Sequence, residues 1–343
     1  MKPRPAWPGL CAVLAAMLVV MFGLPLVTGL FGLVQATVFI AMAVLALSQG
    51  FIWGYGGIMS FGQSAFFGLG GYTYAVAVMN MGDSTIPFFL SILLPAAFAA
   101  LLGYFMFYGR ISDAYVGVIT LTVTVILFNV ANSTAGDVYH IGNAPLGGFN
   151  GMPSIPPLNM PGDPSSPLDP QQLYYVCMGL LVLVYLMLHL ILASKFGRVV
   201  VAIRENETRA MLLGYDPRLY KLLVFAIGGG IAGLAGCLFT NWGGFISPTV
   251  FGLSQSAQII IFVLVGGLGT LVGPILGAVA IEYLITVIGS QQTFNADLIL
   301  GVVLVAFVLL VPQGVVPVLR GVTLRVFSQR RVAALPEAKP VRP

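Results

Sequence analysis

Charge is what this sequence has least of. Only 8% of its 343 residues are Asp, Glu, Lys or Arg, against roughly a quarter in soluble globular proteins. Histidine is nearly absent, with only His140 and His189. The three cysteines, Cys11, Cys177 and Cys237, lie singly in apolar stretches without CxxC spacing. They read as small buried hydrophobes, and no metal site is expected. No G-x-x-x-x-G-K-[ST] run occurs, which excludes ATP binding through a phosphate loop. Two distant histidines allow no Ser-His-Asp or Cys-His arrangement, so neither an enzyme nor a bound cofactor is expected.

What the chain has instead is oil: 58% of its residues are hydrophobic and its mean hydropathy is +0.99. That excludes a soluble enzyme, a disordered protein and a nucleic-acid binder, whatever the net charge of +4. A transmembrane β-barrel would show alternating segments of about ten residues, whereas these apolar runs are long and continuous. The expected fold is an all-α integral membrane protein, a polytopic bundle of about ten spans. They are Leu10–Val27, Phe31–Gln49, Ile58–Met79, Pro87–Tyr108, Ala114–Val130, Leu173–Leu192, Leu222–Thr240, Ser254–Leu268, Val272–Ile288 and Leu298–Val311. Lys2 and Arg4 before the first run resemble a signal peptide. The run is long for one and no A-x-A site follows, so it is read as an uncleaved span. Thr120, Thr122 and Thr124 alternate with β-branched residues, locally a strand pattern. In lipid an open strand leaves backbone groups unpaired, so helix is expected there.

Positive charge orients the bundle. With a cytoplasmic amino terminus and ten crossings, all 15 basic residues fall inside. They are Lys2, Arg4, Arg110, the cluster Lys195 to Lys221, and the tail from Arg320 to Arg342. Asp83, Asp137, Asp163, Asp169 and Asp297 fall outside. An odd number of spans would misplace either the cluster or the tail. Residues 1–320 thus read as a transmembrane domain, with an outer loop at 131–172 and an inner loop at 194–221. Residues 321–343 read as a disordered basic cytoplasmic tail. Pro153–Pro170 is too rich in proline to be helical. Val199–Leu213 reads as one short helix, closed by Gly214 and followed by Pro217. It is either a solvated loop or a docking helix for a cytoplasmic partner.

Polar groups inside the spans are few. Glu282 is the only acid well inside one. It is a candidate for proton-coupled secondary transport or a structural contact. Glycine-rich runs at 54–72, 228–236 and 266–277 contain the GxxxG pairs Gly229/Gly233, Gly269/Gly273 and Gly273/Gly277, which allow close helix packing. Helix-breaking runs at membrane depth must be buried in protein or line a cavity, and often border transport pathways. The candidate pathway residues are Ser60, Gln63, Ser64, Thr120, Thr124, Gln258 and Thr270. The set is uncharged, which suits a neutral or zwitterionic solute rather than an ion.

Several motifs carry a resemblance. They are GGIMSFGQSAFFGLGGY at 56–72, GGFNGM at 147–152, FGRVVVAIRENETRAMLLGYDPRLYKLLVFAIGGGIAGLAG at 196–236, ISP at 246–248 and VGGLGTLVGPILGA at 265–278. The chain resembles the LivM-type permease subunit of ATP-binding cassette (ABC) importers for branched-chain amino acids, with relatives for urea and short-chain amides. The resemblance implies a bacterial inner-membrane machine with cytoplasmic termini in this subunit. A second homologous permease subunit, two cytoplasmic ATPases and an external solute-binding protein would complete it. It further implies that Arg204, Glu205, Asn206, Glu207, Ala210 and Gly214 form the loop that couples to the ATPase. The expected function is inward transport of a branched-chain amino acid by alternating access, with urea or a short-chain amide as the alternative solute.

Overall fold

The computed structural model describes residues 7–136, 138–289, 301, 302 and 305. Lys2, Arg4, Asp137, Asp297, the tail and nearly all of the expected tenth span, Leu298–Val311, lie outside these. Two apolar helices, α1 (Trp7–Val27) and α2 (Leu30–Gly54), open the chain. They are followed by α3 (Gln63–Met81), α4 (Thr85–Tyr108) and α5 (Asp113–Ser133). Two short antiparallel hairpins come next, β1 (His140–Ile141) with β2 (Ala144–Pro145) and β3 (Asn159–Met160) with β4 (Asp163–Pro167). Then come α6 (Pro170–Ala193), the short α7 (Lys195–Glu205) and α8 (Glu207–Leu212), and α9 (Pro217–Gly243). A 3-10 turn at Pro248–Phe251 leads into α10 (Leu253–Gly266), and α11 (Val272–Gly289) ends the described chain.

Seven of the described helices are long and apolar enough to cross a membrane: α1, α2, α4, α5, α6, α9 and α11. The other two expected spans within the described residues differ from that pattern. α10 is only 14 residues long. α3 starts at Gln63 rather than Ile58 and is more polar than its neighbours. Among the described residues the count of ten is therefore not confirmed; seven helices qualify by length and composition. The late start of α3 has a local cause. After α2 the chain turns at Gly56 and Gly57, the latter with φ +70°, and residues 58–62 run without helix before α3 begins. The expected single helix Val199–Leu213 is also two helices. Asn206 adopts an extended backbone, and its side chain accepts from Arg209 N at 2.8 Å, capping α8. That local bond competes with helix continuation.

A helix apolar on all sides belongs in the interior, and α2 is buried almost continuously from Thr37 to Ile52. Around it pack α9, α6 and α11, and α9 also packs against α3 and α4. Glycine makes the α3–α9 approach possible. A Cβ on Gly70 would overlap the Gly233 backbone, and one on Gly236 would overlap the Phe67 carbonyl. Gly229 and Gly233 pack likewise on Ala99, Pro95 and Ser91 of α4. By contrast α1 is largely exposed along its length, as expected where lipid replaces water.

The bundle has two unlike ends. At one, the ends of α2, α4, α5, α6 and α9 meet α7 and α8, and every described Lys and Arg lies there. At the other, the hairpins form a cap. Asn159 accepts from Ser84 N at 2.7 Å and donates to Asp83 at 2.9 Å. Leu158 N donates to Asn241 at 2.6 Å, and Met152 bridges Ile246. The proline-rich segment is thus a folded, non-helical cover.

Candidate functional site

The first feature is the interruption between α2 and α3. Gln49 Nε2 donates to the Ser60 carbonyl at 2.9 Å, and the Ser60 hydroxyl accepts from Gly62 N. Thr120 Oγ1 accepts from Phe61 N at 3.2 Å and donates to the Gly117 carbonyl. Gln63 Nε2 donates to Ser48 Oγ at 2.9 Å and to the Gly228 carbonyl at 3.2 Å. Gly228 lies near the middle of the 27-residue α9, so the cluster sits at mid-height of the bundle. Of the expected pathway residues, Ser60, Gln63, Ser64, Thr120 and Thr124 converge here, all buried. The side-chain oxygens of Gln49 and Gln63 are buried without a partner. An unmade hydrogen bond on a buried polar atom costs about 1–3 kcal/mol.

The second feature is the start of α10. Ser64 Oγ lies 2.5 Å from Ser256 Oγ, so the first turns of α3 and α10 touch. The sequence around each is the same: Gln63-Ser64-Ala65 recurs as Gln255-Ser256-Ala257. Ser256 was not among the expected residues, and this short internal repeat is the signal that would have found it. Gln258 and Thr270 lie elsewhere. Gln258 Nε2 donates to Glu282 Oε1 at 2.7 Å, bridging α10 to α11. Thr270 accepts from Gly273 N at 3.1 Å and so caps the start of α11.

The third feature is the α7–α8 loop. It has a small core of its own, with Val199, Ile203 and Ala210 packed under Tyr220. Phe196 stacks on Tyr220 at 5.4 Å. The loop is fastened to the bundle at two points. The Arg204 guanidinium donates to the Gly54 carbonyl at the end of α2 and also pairs with Glu205. Lys221 Nζ of α9 lies 2.7 Å from Glu207 and 3.4 Å from Asp113 of α5. Asn206 caps α8, Ala210 is buried, and Gly214 closes the loop with φ +88°. Five of the six expected coupling residues therefore shape or fasten the loop. What it presents outward is Arg209, Met211, Leu212 and Leu213, with Leu212 84% and Leu213 70% exposed.

Asp83 is held below the usual carboxylate range, first by the Asn159 amide and then by Thr85. No His, Cys, Asp or Glu grouping fit for a metal ion occurs among the described residues.

Comparison with known proteins adds the following. The family described as branched-chain amino acid transport system / permease component matches residues 31–308. The high-affinity branched-chain amino acid transport system permease protein LivM of Escherichia coli (strain K12) is 28% identical over 314 residues. That covers 83% of this chain and 70% of that protein. LivM of Salmonella typhimurium is 29% identical over 337 residues, covering 90% and 75%. The autoinducer 2 import system permease protein LsrC of Salmonella choleraesuis is 38% identical over 115 residues, 32% of each chain. No solved structure matches.

Proposed function

We propose that this chain, which belongs to the branched-chain amino acid transport system permease component family, is the conducting subunit of an ATP-driven importer. It is an inner-membrane multi-pass protein. The basic end faces the cytoplasm, as the positive-inside rule requires, and both termini lie there. The hairpin cap faces outward toward a solute-binding protein. A second homologous permease subunit completes the pathway, and two ATPases supply the energy. The solute is small and neutral or zwitterionic. A branched-chain amino acid is preferred, on the strength of the two LivM relatives.

One observation carries this reading: the α7–α8 loop is fastened to the bundle on one side and apolar on the other. Arg204 ties it to the end of α2, just before the buried break that precedes α3. Lys221 ties it to α5. A push on Leu212 and Leu213 from an ATPase therefore reaches both sides of the mid-height polar cluster. Ligands can shift a conformational equilibrium only through such differential contacts. The uncharged polar residues Ser60, Gln63, Ser64, Thr120, Thr124, Gln258 and Thr270 are proposed to border the path as the halves rearrange.

The test is co-purification of the ATPases with the full chain. Replacing Leu212 and Leu213 by Asp removes the exposed apolar pair and leaves the fastening residues untouched. Loss of the ATPase, with the helical content unchanged, supports the assignment; undiminished capture rejects it. A second reading, an autoinducer-type solute, rests on the local similarity to LsrC. Competition uptake assays with leucine, urea and autoinducer 2 separate the solutes.

A further inference from the structure

Beside the coupling loop, the basic end of the bundle holds a cleft of about 480 Å³ between the α4–α5 turn and the start of α9. Its walls carry Arg110, Arg218 and Lys221. Lys221 is matched by Glu207 and Asp113. Arg110 and Arg218 have no ion pair among the described residues. Two guanidinium groups without an ion pair thus line one concave site, where three cations face the two carboxylates of Asp113 and Glu207 and leave one positive charge in excess, beside the apolar Phe107 and Ile111. Arg110 also holds a left-handed backbone, φ +54°, which a non-glycine residue adopts at a conformational cost.

The neighbourhood identifies the occupant. α4 exposes Leu101, Tyr104, Phe105 and Tyr108 toward its last turns. Such an apolar strip faces acyl chains. Tyr104 and Tyr108 stack at 4.9 Å, and paired tyrosines at a helix end mark the headgroup level of a membrane. The Arg218 guanidinium lies 6.0 Å from the Tyr108 ring centre, directly at that level. Chains on the strip would place a headgroup at the cleft. We infer that this cleft binds the phosphate of an anionic phospholipid headgroup. Guanidinium is the side chain best matched to phosphate oxygens, and basic pockets between helices on the cytoplasmic side take such headgroups. Because Glu207 of α8 forms part of the same wall, the lipid would sit against the joint that fastens the loop. This goes beyond the transport reading and does not depend on it.

The test is lipid retention by the full chain in nanodiscs of mixed phosphatidylglycerol and phosphatidylcholine, measured by native mass spectrometry. The wild type should retain phosphatidylglycerol selectively. R110Q/R218Q should lose that selectivity by roughly fivefold per arginine. R110K/R218K should keep most of it. K195Q/R198Q removes the same charge at another groove and should leave it unchanged. Because R110Q/R218Q could fail to fold, D113N/E207Q provides an opposite arm: freeing Lys221 should raise phosphatidylglycerol retention. Equal retention in wild type and R110Q/R218Q, or a fall in D113N/E207Q, overturns the proposal. So does displacement of the lipid by excess inorganic phosphate, which would make this a small-anion site. Retained lipid with lost ATPase binding in R110Q/R218Q would make it a protein interface instead, and would equally overturn it.

Discussion

The hydroxyls of Ser64 and Ser256 meet at 2.5 Å, although the two residues are 192 positions apart in the chain. Each opens a helix preceded by a break, and each follows a glutamine and precedes an alanine. The two residues belong to differently packed groups. α3 is locked to α9 by glycine contacts, whereas α10 packs mainly on α11. If transport rearranges these groups, this contact must change. In a background lacking the three native cysteines, oxidation of S64C/S256C should arrest uptake, and reduction should restore it. Full uptake by the cross-linked protein would show that the groups move together.

Close backbone approach between α3 and α9 predicts a second outcome. Gly236→Val places bulk against the Phe67 carbonyl, and overpacking of this kind costs about 1–3 kcal/mol. Gly243, in the same helix, has open space where a Cβ would go. A thermal melt in detergent should drop for Gly236→Val and stay level for Gly243→Ala. Equal melts would mean that the α3–α9 approach is looser than described.

The cap should loosen in acid. Asp83 is half-buried, and in the folded protein its carboxyl is held below the usual range by Asn159. A depressed folded value contributes stability above the unfolded pKa, about 3.9. That contribution is lost as pH falls through the lower folded value. Protease cutting near the β3–β4 hairpin should therefore rise below that range in the wild type. In Asp83→Asn the cutting should be greater at neutral pH and change less with acidity. A hairpin equally protected at both extremes would dissociate Asp83 from cap stability.

Much of this arrangement is legible in the residues alone, because lipid imposes a simple rule. Seven helices follow from runs such as Pro87–Tyr108, where length and oiliness leave no alternative. The same rule fails at residues 58–62, which open an expected apolar span but are non-helical. There the outcome depends on the turn at Gly57 and on partners from α2 and α5, Gln49 and Thr120, which hydropathy cannot reveal. Asn206 was similarly hidden inside an apparently continuous helix, since its capping bond is a local alternative to the helix it interrupts. Leu212 and Leu213 read as ordinary apolar positions until Val199, Ile203 and Ala210 are seen to fill the loop's interior. Arg204 and Glu207, expected in the loop that meets the ATPase, both also reach the bundle, where the Gly54 carbonyl and Lys221 hold them.

The fastening at Lys221 gives a further outcome. Lys221→Met leaves Glu207 and Asp113 without their shared cation. Partly exposed pairs contribute only about 0.2–1 kcal/mol, so the melt should shift little. Transport should fall much further, because α8 loses its tie to α5. ATP hydrolysis by the assembled complex should continue while uptake per ATP drops. An unchanged ratio would remove Lys221 from the transmission route.

The most direct measurement is leucine accumulation in proteoliposomes containing this chain, its partner permease and ATPases, with the binding protein outside. Uphill accumulation should require ATP, survive Glu282→Gln and vanish in L212D/L213D. Uphill accumulation by this chain alone, without any nucleotide-hydrolysing subunit, would contradict the account.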